Sequence, residues 1–324
     1  MWIDFAVLLF CLLTPTKACE EFEFQTIEIL QRFEWERTIL PLTTADAKNN
    51  QWQRVAHHWT YNLEIYRYSN INNFFIFFYA DQLVGVGLAY KPDSESQEVI
   101  TNEEYQENVE KKGRTKALKK YLKIKANNIL SDAKNLGKRY MFKHTVTVDH
   151  RKFRYAMVLF VNPDELERGS TPICFTQFIH FEGRNEGHWH KVPILKVKIP
   201  DVEPRMNEQG CQNKFGRYYF YSLDDKTSCR ELHGFYCFYG DNGEMNGFGV
   251  FTHGMDVIYE SNDHPHPVFR FWNTALVKEI IPHNARCIGE KSWDGYFTTV
   301  IFLKPNTETD KFKCNDKGGS SQLH

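Results

Sequence analysis

The sequence predicts a mainly β protein (α+β) of two tandem β-rich domains, of barrel or curved-sheet type, related by internal duplication, with one amphipathic helix in the first. Three observations predict this. Beyond Trp59 the chain is largely aromatic and β-branched runs of strand length, broken by Gly, Asn, Asp and Pro. Only the stretch 115–137 keeps a helical period. A hairpin pattern, FYCFYGDNGEMNGFGVF at Phe235–Phe251, has an earlier echo, FFIFFYADQLVGVGLAY at Phe74–Tyr90. A chain of 324 residues holds two such units at ~100–200 residues per domain.

Residues 1–18 carry an apolar run, Phe5 to Leu13, then Pro15 and small residues, which is the layout of a signal peptide; the run is too short to span a bilayer. A secreted, extracellular protein without a transmembrane anchor is expected. Residues 20–40 mix apolar and charged positions that suit a short helix and a strand equally. Strands are expected from Trp59, with a turn at Ala80-Asp81, and residues 92–108 form an acidic loop. The helix follows: Leu118, Leu122, Ile129, Ala133 and Leu136 make its apolar stripe, and Gly137 stands at the C-cap. Its other face carries Lys116, Lys119, Lys120 and Lys123, candidates for binding an anionic polymer or surface. The first domain is assigned to 19–170, the second, disulfide-containing one to 171–314, and 315–324 to a disordered tail.

Removal of the signal leaves seven cysteines. In an oxidising compartment Cys174, Cys211, Cys229, Cys237, Cys287 and Cys314 are candidates for three bridges, with Cys19 left over and the connectivity open. No C-x-x-C pair is present, which disfavours a zinc ribbon. The formal net charge of -1 excludes a uniformly basic surface, but seven acidic residues in 92–110 precede fifteen basic ones in 111–154.

The duplication rests on four landmarks in the same order. Phe33-Glu34 is matched with Phe181-Glu182, and His58-Trp59 with His188-Trp189. Tyr79, Asp81, Gly85 and Gly87 are matched with Tyr239, Asp241, Gly247 and Gly249, and Val158, Phe160 and Pro163 with Val300, Phe302 and Pro305.

Chemistry-bearing signals are sparse. There is no G-x-S-x-G, H-E-x-x-H, papain-like cysteine context or specific nucleic-acid motif, and no cofactor is expected. His188 with His190, and His264 with His266, stand two residues apart, on one side of a strand, as weak candidates for a metal ligand pair; a bare polar role is favoured because no third ligand is evident. Asp224 with Asp225, and Glu203 with Glu208, read as solvated turns. The expected function is a secreted, disulfide-stabilised binding protein for an apolar small ligand held among the aromatics, which are 15% of the chain. The alternatives are an extracellular protein binding anionic polymers through the lysine helix, and a metal-dependent secreted hydrolase using His188 and His190.

Overall fold

In the computed structural model, residues 27–30, 37–68, 74–90, 143–170, 175–183, 185, 187–224, 226–227, 233–253, 270–272, 277, 279–282, 296–304 and 312–314 are described. The signal peptide, the helix at 115–137 and the tail lie outside them. The described residues are mainly β, as the aromatic and β-branched composition requires. In chain order the elements are β1 (Glu28–Leu30), β2 (Arg37–Ile39), α1 (Thr44–Asn49), β3 (Trp52–His58), β4 (Leu63–Tyr68), β5 (Phe74–Tyr79), β6 (Gln82–Tyr90), β7 (His144–Val148), β8 (Arg151–Val161) and α2 (Pro163–Glu167). There follow β9 (Phe175–Glu182), β10 (Trp189–Pro193), a 3-10 turn at Lys196–Lys198, α3 (Ile199–Val202), β11 (Met206–Gln212), β12 (Gly216–Tyr221), β13 (Phe235–Tyr239), β14 (Met245–His253), β15 (Arg270–Trp272) and β16 (Tyr296–Phe302). The stretch 20–40, open to either period, contributes two short strands.

Two eight-stranded sheets result. One runs β3-β4-β5-β6-β8-β9-β10 with β7 also on β8; the other runs β11-β12-β13-β14-β16-β1-β2 with β15 also on β16. Strand for strand the two orders are the same, including the fork at which one long strand carries two neighbours on a single edge. β7 takes residues 151–155 of β8 while β9 takes Val158, Leu159 and Val161. β15 takes Thr298, Phe297 and Tyr296 of β16 while β1 takes Ile301 and Phe302. Irregularities recur as well, at Arg54/Ala56 and Glu208/Cys211, and at Phe77/Phe78 and Phe238/Tyr239. The sheets interleave along the sequence: β9 and β10, beyond residue 170, join the sheet of the first half, and β1 and β2 complete the sheet of the second.

The barrel expectation is corrected, because neither sheet is closed. In the first sheet β3 and β10 stand at opposite edges of the order rather than pairing. The curl is taken up at the fork instead, where β7 swings across to β3 and the His58 Nε2 and His144 Nδ1 atoms come to 3.2 Å. Each sheet therefore has two buried faces. The facing sides share one core, with Phe181 of β9 stacked on Phe235 of β13 at 4.1 Å and Phe160 of β8 edge-on to Phe248 of β14 at 6.1 Å. The outer side of the first sheet buries Phe75, Phe77, Tyr155 and Met157, and that of the second buries Tyr218, Tyr236, Phe238 and Phe302. Four layers of side chains in a chain of this size explain the aromatic content: the rings fill cores.

The hairpin and its echo are β13–β14 and β5–β6. Gly85 pairs with Phe77 and Leu159, and Gly247 with Phe238 and Phe302. The equivalent of Leu159 is thus Phe302, and the equivalent of Val158 is Ile301, so the matching of the closing strands by sequence is one residue out of register. Val158 and Ile301 both face the shared core. Equivalent pairing also sets Phe181 against Ile29, since they oppose Val158 and Ile301; Phe33 and Glu34 lie outside the described residues. His58-Trp59 ends β3 whereas His188-Trp189 opens β10, strands at opposite edges of one sheet.

The β5–β6 turn places Ala80 at φ 45° and Asp81 at φ 71°, two left-handed residues in a two-residue hairpin loop. Asp81 accepts from the Thr44 backbone N–H at 3.0 Å, tying the turn to α1. Alanine is a poor residue for that backbone. Ala80→Gly should therefore raise unfolding stability by about 0.5–1 kcal/mol in urea titration, and an unchanged or lower midpoint would refute the assignment of strain to this turn.

Cys211 and Cys314 form a disulfide, 103 residues apart, that pins the last described residues to β11. Cys237 is corrected: it is a free, fully buried thiol in the shared core. Its β13 side chain lies on the face that meets the other sheet, among apolar groups, and burial drives its pKa upward. Cys174, Cys229 and Cys287 lie outside the described residues.

Candidate functional site

Where the two sheets meet, a cavity of about 480 Å3 opens. Five pieces of chain build it: the β9–β10 turn supplies Asn185 and His188, β10 supplies His190, the residues after α3 supply Arg205, the end of β12 supplies Tyr221, and the segment leading into β13 supplies His233. Ser222, Asp224, Lys226 and Thr227 complete the wall.

His190 is its centre. The ring is 5% exposed, its Nδ1 lies 3.0 Å from Glu203 Oε2, and its Nε2 lies 3.1 Å from the Tyr221 hydroxyl. Arg205 donates from Nε to Glu203 Oε1 at 3.0 Å and approaches His190 Nδ1 with Nη2, also at 3.0 Å. An unprotonated Nδ1 would set its lone pair against the carboxylate, so the proton is assigned to Nδ1, which donates to Glu203 while Nε2 accepts from Tyr221 O–H. Burial works against charge on Glu203, but the hydrogen bonds from His190 and Arg205 outweigh it and hold the carboxyl below its usual range. Burial, with the Glu203 charge nearby, pushes the Tyr221 pKa up to about 12. Carboxylate, imidazole and hydroxyl in series form an oriented relay, the general pattern in which a carboxylate fixes a base against a hydroxyl.

Gly183 makes room for this. A Cβ there would lie 2.2 Å from His190 Nε2. Glu182 fixes the turn that carries Asn185 and His188 by accepting from the Gly187 N–H at 2.7 Å, and it also meets His144 Nε2 at 2.8 Å. Trp189 donates to the Tyr61 hydroxyl at 3.1 Å, which anchors the start of β10.

Of the residues singled out from sequence, His188 and His190 both reach this cavity, His188 exposed at its rim with its ring 4.9 Å from that of His190. Both nitrogens of His190 are engaged by protein groups, and among the described residues no group of three or more His, Cys, Asp or Glu is arranged to hold a metal ion. His264, His266, Lys116, Lys119, Lys120 and Lys123 lie outside the described residues. The reading of Glu203 as a solvated turn is corrected: it is 5% exposed because α3 folds it beneath His190. Glu208 is exposed on β11, where it accepts from the Tyr219 hydroxyl, and is likewise no turn residue. Asp224 does sit in a turn, capping the Lys226 N–H at 2.9 Å.

Fold and site together define a two-sheet β protein with a polar cavity at the junction of its sheets. No protein-family model, curated protein or solved structure matches the chain. Among the described residues no helix is long and apolar enough to cross a membrane.

Proposed function

We propose that this is a secreted, β-rich binding protein whose site is the cavity at the sheet junction, and that its ligand is a small polar molecule. The observation that carries this reading is the wall itself: a volume suited to a small ligand, faced by imidazole, guanidinium, hydroxyl and amide groups. The apolar interior that the composition suggested for a ligand is occupied by packed rings on both faces of both sheets. Secretion is proposed on the N-terminal apolar run, and descent of the two sheets from one duplicated unit on their common strand order. In that arrangement each unit supplies its own strands, and the β1–β2 hairpin completes the second.

A thermal-shift screen of small polar and small apolar compounds tests the binding reading. Polar compounds are expected to raise the melting temperature, and His188→Trp, which fills the rim, should abolish the shift. Hits confined to apolar compounds, with binding that survives His188→Trp, would remove the cavity from consideration.

A further inference from the structure

We propose that the protein is also an esterase, in which the Ser222 hydroxyl attacks a small carboxylic ester held in the cavity while Tyr221, His190 and Glu203 carry its proton away. This goes beyond the binding reading above and rests on it for the cavity being the site.

The backbone of Ser222 is the first observation. Directly after β12 the chain turns through this residue at φ 50°, a left-handed conformation that serine adopts at a cost. Of the non-glycine residues with positive φ among the described residues, Ser222 alone lines the cavity. Glycine or asparagine would suit this backbone better, so the hydroxyl is what serine adds. The conformation is imposed from both sides: the Ser222 N–H donates to the Arg205 carbonyl at 2.7 Å, and the Ser222 carbonyl accepts from Thr227 Oγ1 at 2.9 Å. Strained residues held in this way gather at functional sites. The nucleophile elbow of serine hydrolases also presents its serine on a strained turn after a strand, there within G-x-S-x-G, which this chain lacks.

The second observation is a relay that runs one way from that hydroxyl. Ser222 donates to the Tyr221 oxygen, a bond that favours the phenolate. Tyr221 donates to His190 Nε2 at 3.1 Å, and His190 Nδ1 donates to Glu203 at 3.0 Å. Every hydrogen points from Ser222 toward a buried carboxylate, so a proton leaving the serine ends on His190 as an imidazolium beside an anion. Tyr221 keeps its own proton at rest, because burial pushes its pKa up to about 12, and it passes a proton on without holding charge. In the reaction Ser222 Oγ bonds to the ester carbonyl carbon as its proton passes to the Tyr221 oxygen and the Tyr221 proton passes to His190 Nε2. The tetrahedral adduct then expels the alcohol, which takes a proton back along the same path, and acyl-Ser222 remains. Water repeats the two steps and releases the acid, so ester and water become acid and alcohol with no redox change.

Mass spectrometry of the full chain after incubation with a fluorophosphonate, a probe that phosphonylates activated serines, tests this. One adduct per chain is expected, on the peptide that carries Ser222, and p-nitrophenyl acetate should be hydrolysed with an initial burst of about one equivalent of nitrophenol. Ser222→Gly, which accepts φ 50° without strain, should fold at least as stably as the parent and give neither adduct nor burst. Tyr221→Phe, which breaks the relay, should slow formation of the adduct at least about tenfold. No adduct on the parent, an adduct on another residue, or a Tyr221→Phe chain labelled as fast as the parent would overturn the esterase. The binding reading is judged apart, by the melting-temperature shift with polar compounds: if that shift persists without an adduct, the cavity is a binding site alone, and if both are absent, both readings fall.

Discussion

Replacing Gly247 by alanine is expected to cost about 2–4 kcal/mol of unfolding stability, although alanine is the smallest side chain that can be added. The Cβ would stand 2.2 Å from the Ile301 carbonyl oxygen and 2.6 Å from the Phe238 ring. The ring is fully buried, and the carbonyl belongs to the β14–β16 ladder and cannot move without opening it. Gly85, its counterpart on β6, would meet the Val158 carbonyl at 2.5 Å, and Gly85→Ala should fall in the same range. Gly187 gives the contrast. Nothing lies within 4 Å of a Cβ there, and only its φ of 71° resists a side chain, so Gly187→Ala should cost about 1 kcal/mol. Urea midpoints of the three variants decide the matter; equal losses would mean that backbone conformation, and not the close approach of strands, makes these glycines necessary.

The same hairpin shows how far the fold was legible. A run of rings, a turn rich in Gly and Asn, and G-x-G on the return strand are local features, and β13–β14 and β5–β6 stand where they indicated. The common strand order of the two sheets was legible only in part. Glycines are rare within the strands and fix a register, whereas Val, Ile and Phe recur too often, so a closing strand matched on Val158 and Val300 slips by one and points to opposite faces. The completion of the second sheet by β1 and β2 depends on Ile29 pairing with Ile301, from opposite ends of the chain, which leaves no local pattern.

The site divides along the same line. Two histidines at a strand spacing drew attention to His188 and His190, and both line the cavity. Glu203, Arg205, Tyr221 and His233 come from separate elements and meet only in the folded chain, so no spacing announced them. Glu203 stands between Asp201 and Pro204, whose residue types suit an exposed turn; what buries it is a four-residue helix against β10, a tertiary event. The lone signal available was the concentration of charge and imidazole between Gly183 and Arg205, which no motif organises.

Stability should fall steeply with acid, beginning near pH 6.5, well above the range in which carboxylates titrate. Burial lowers the pKa of His180 to about 3, assisted by Lys191, and that of His233 to about 3, assisted by His190; burial and His144 lower that of His58 to about 4, opposed by Glu182. Each of these rings is neutral in the folded protein and becomes protonated on unfolding below its ordinary value of 6.5. Between the lowered and the ordinary pKa the unfolded chain binds more protons, so stability rises with pH across that window and is lost as pH falls through it. His180 and His233 each contribute up to about 1.4 kcal/mol per pH unit, and His58, which is part exposed, less. Glu182 and Glu203, whose pKa values are lowered from 4.5, have the same sign but act later, because their stabilisation is complete above 4.5 and is lost only below it. The melting temperature should therefore decline from pH 6.5 to 4.5 by histidine alone. His180→Gln, which keeps a polar side chain and cannot titrate, should remove about one proton from the slope in that interval, and His233→Gln another. A melting temperature that stays level down to pH 4.5 would mean that these rings are hydrated in solution.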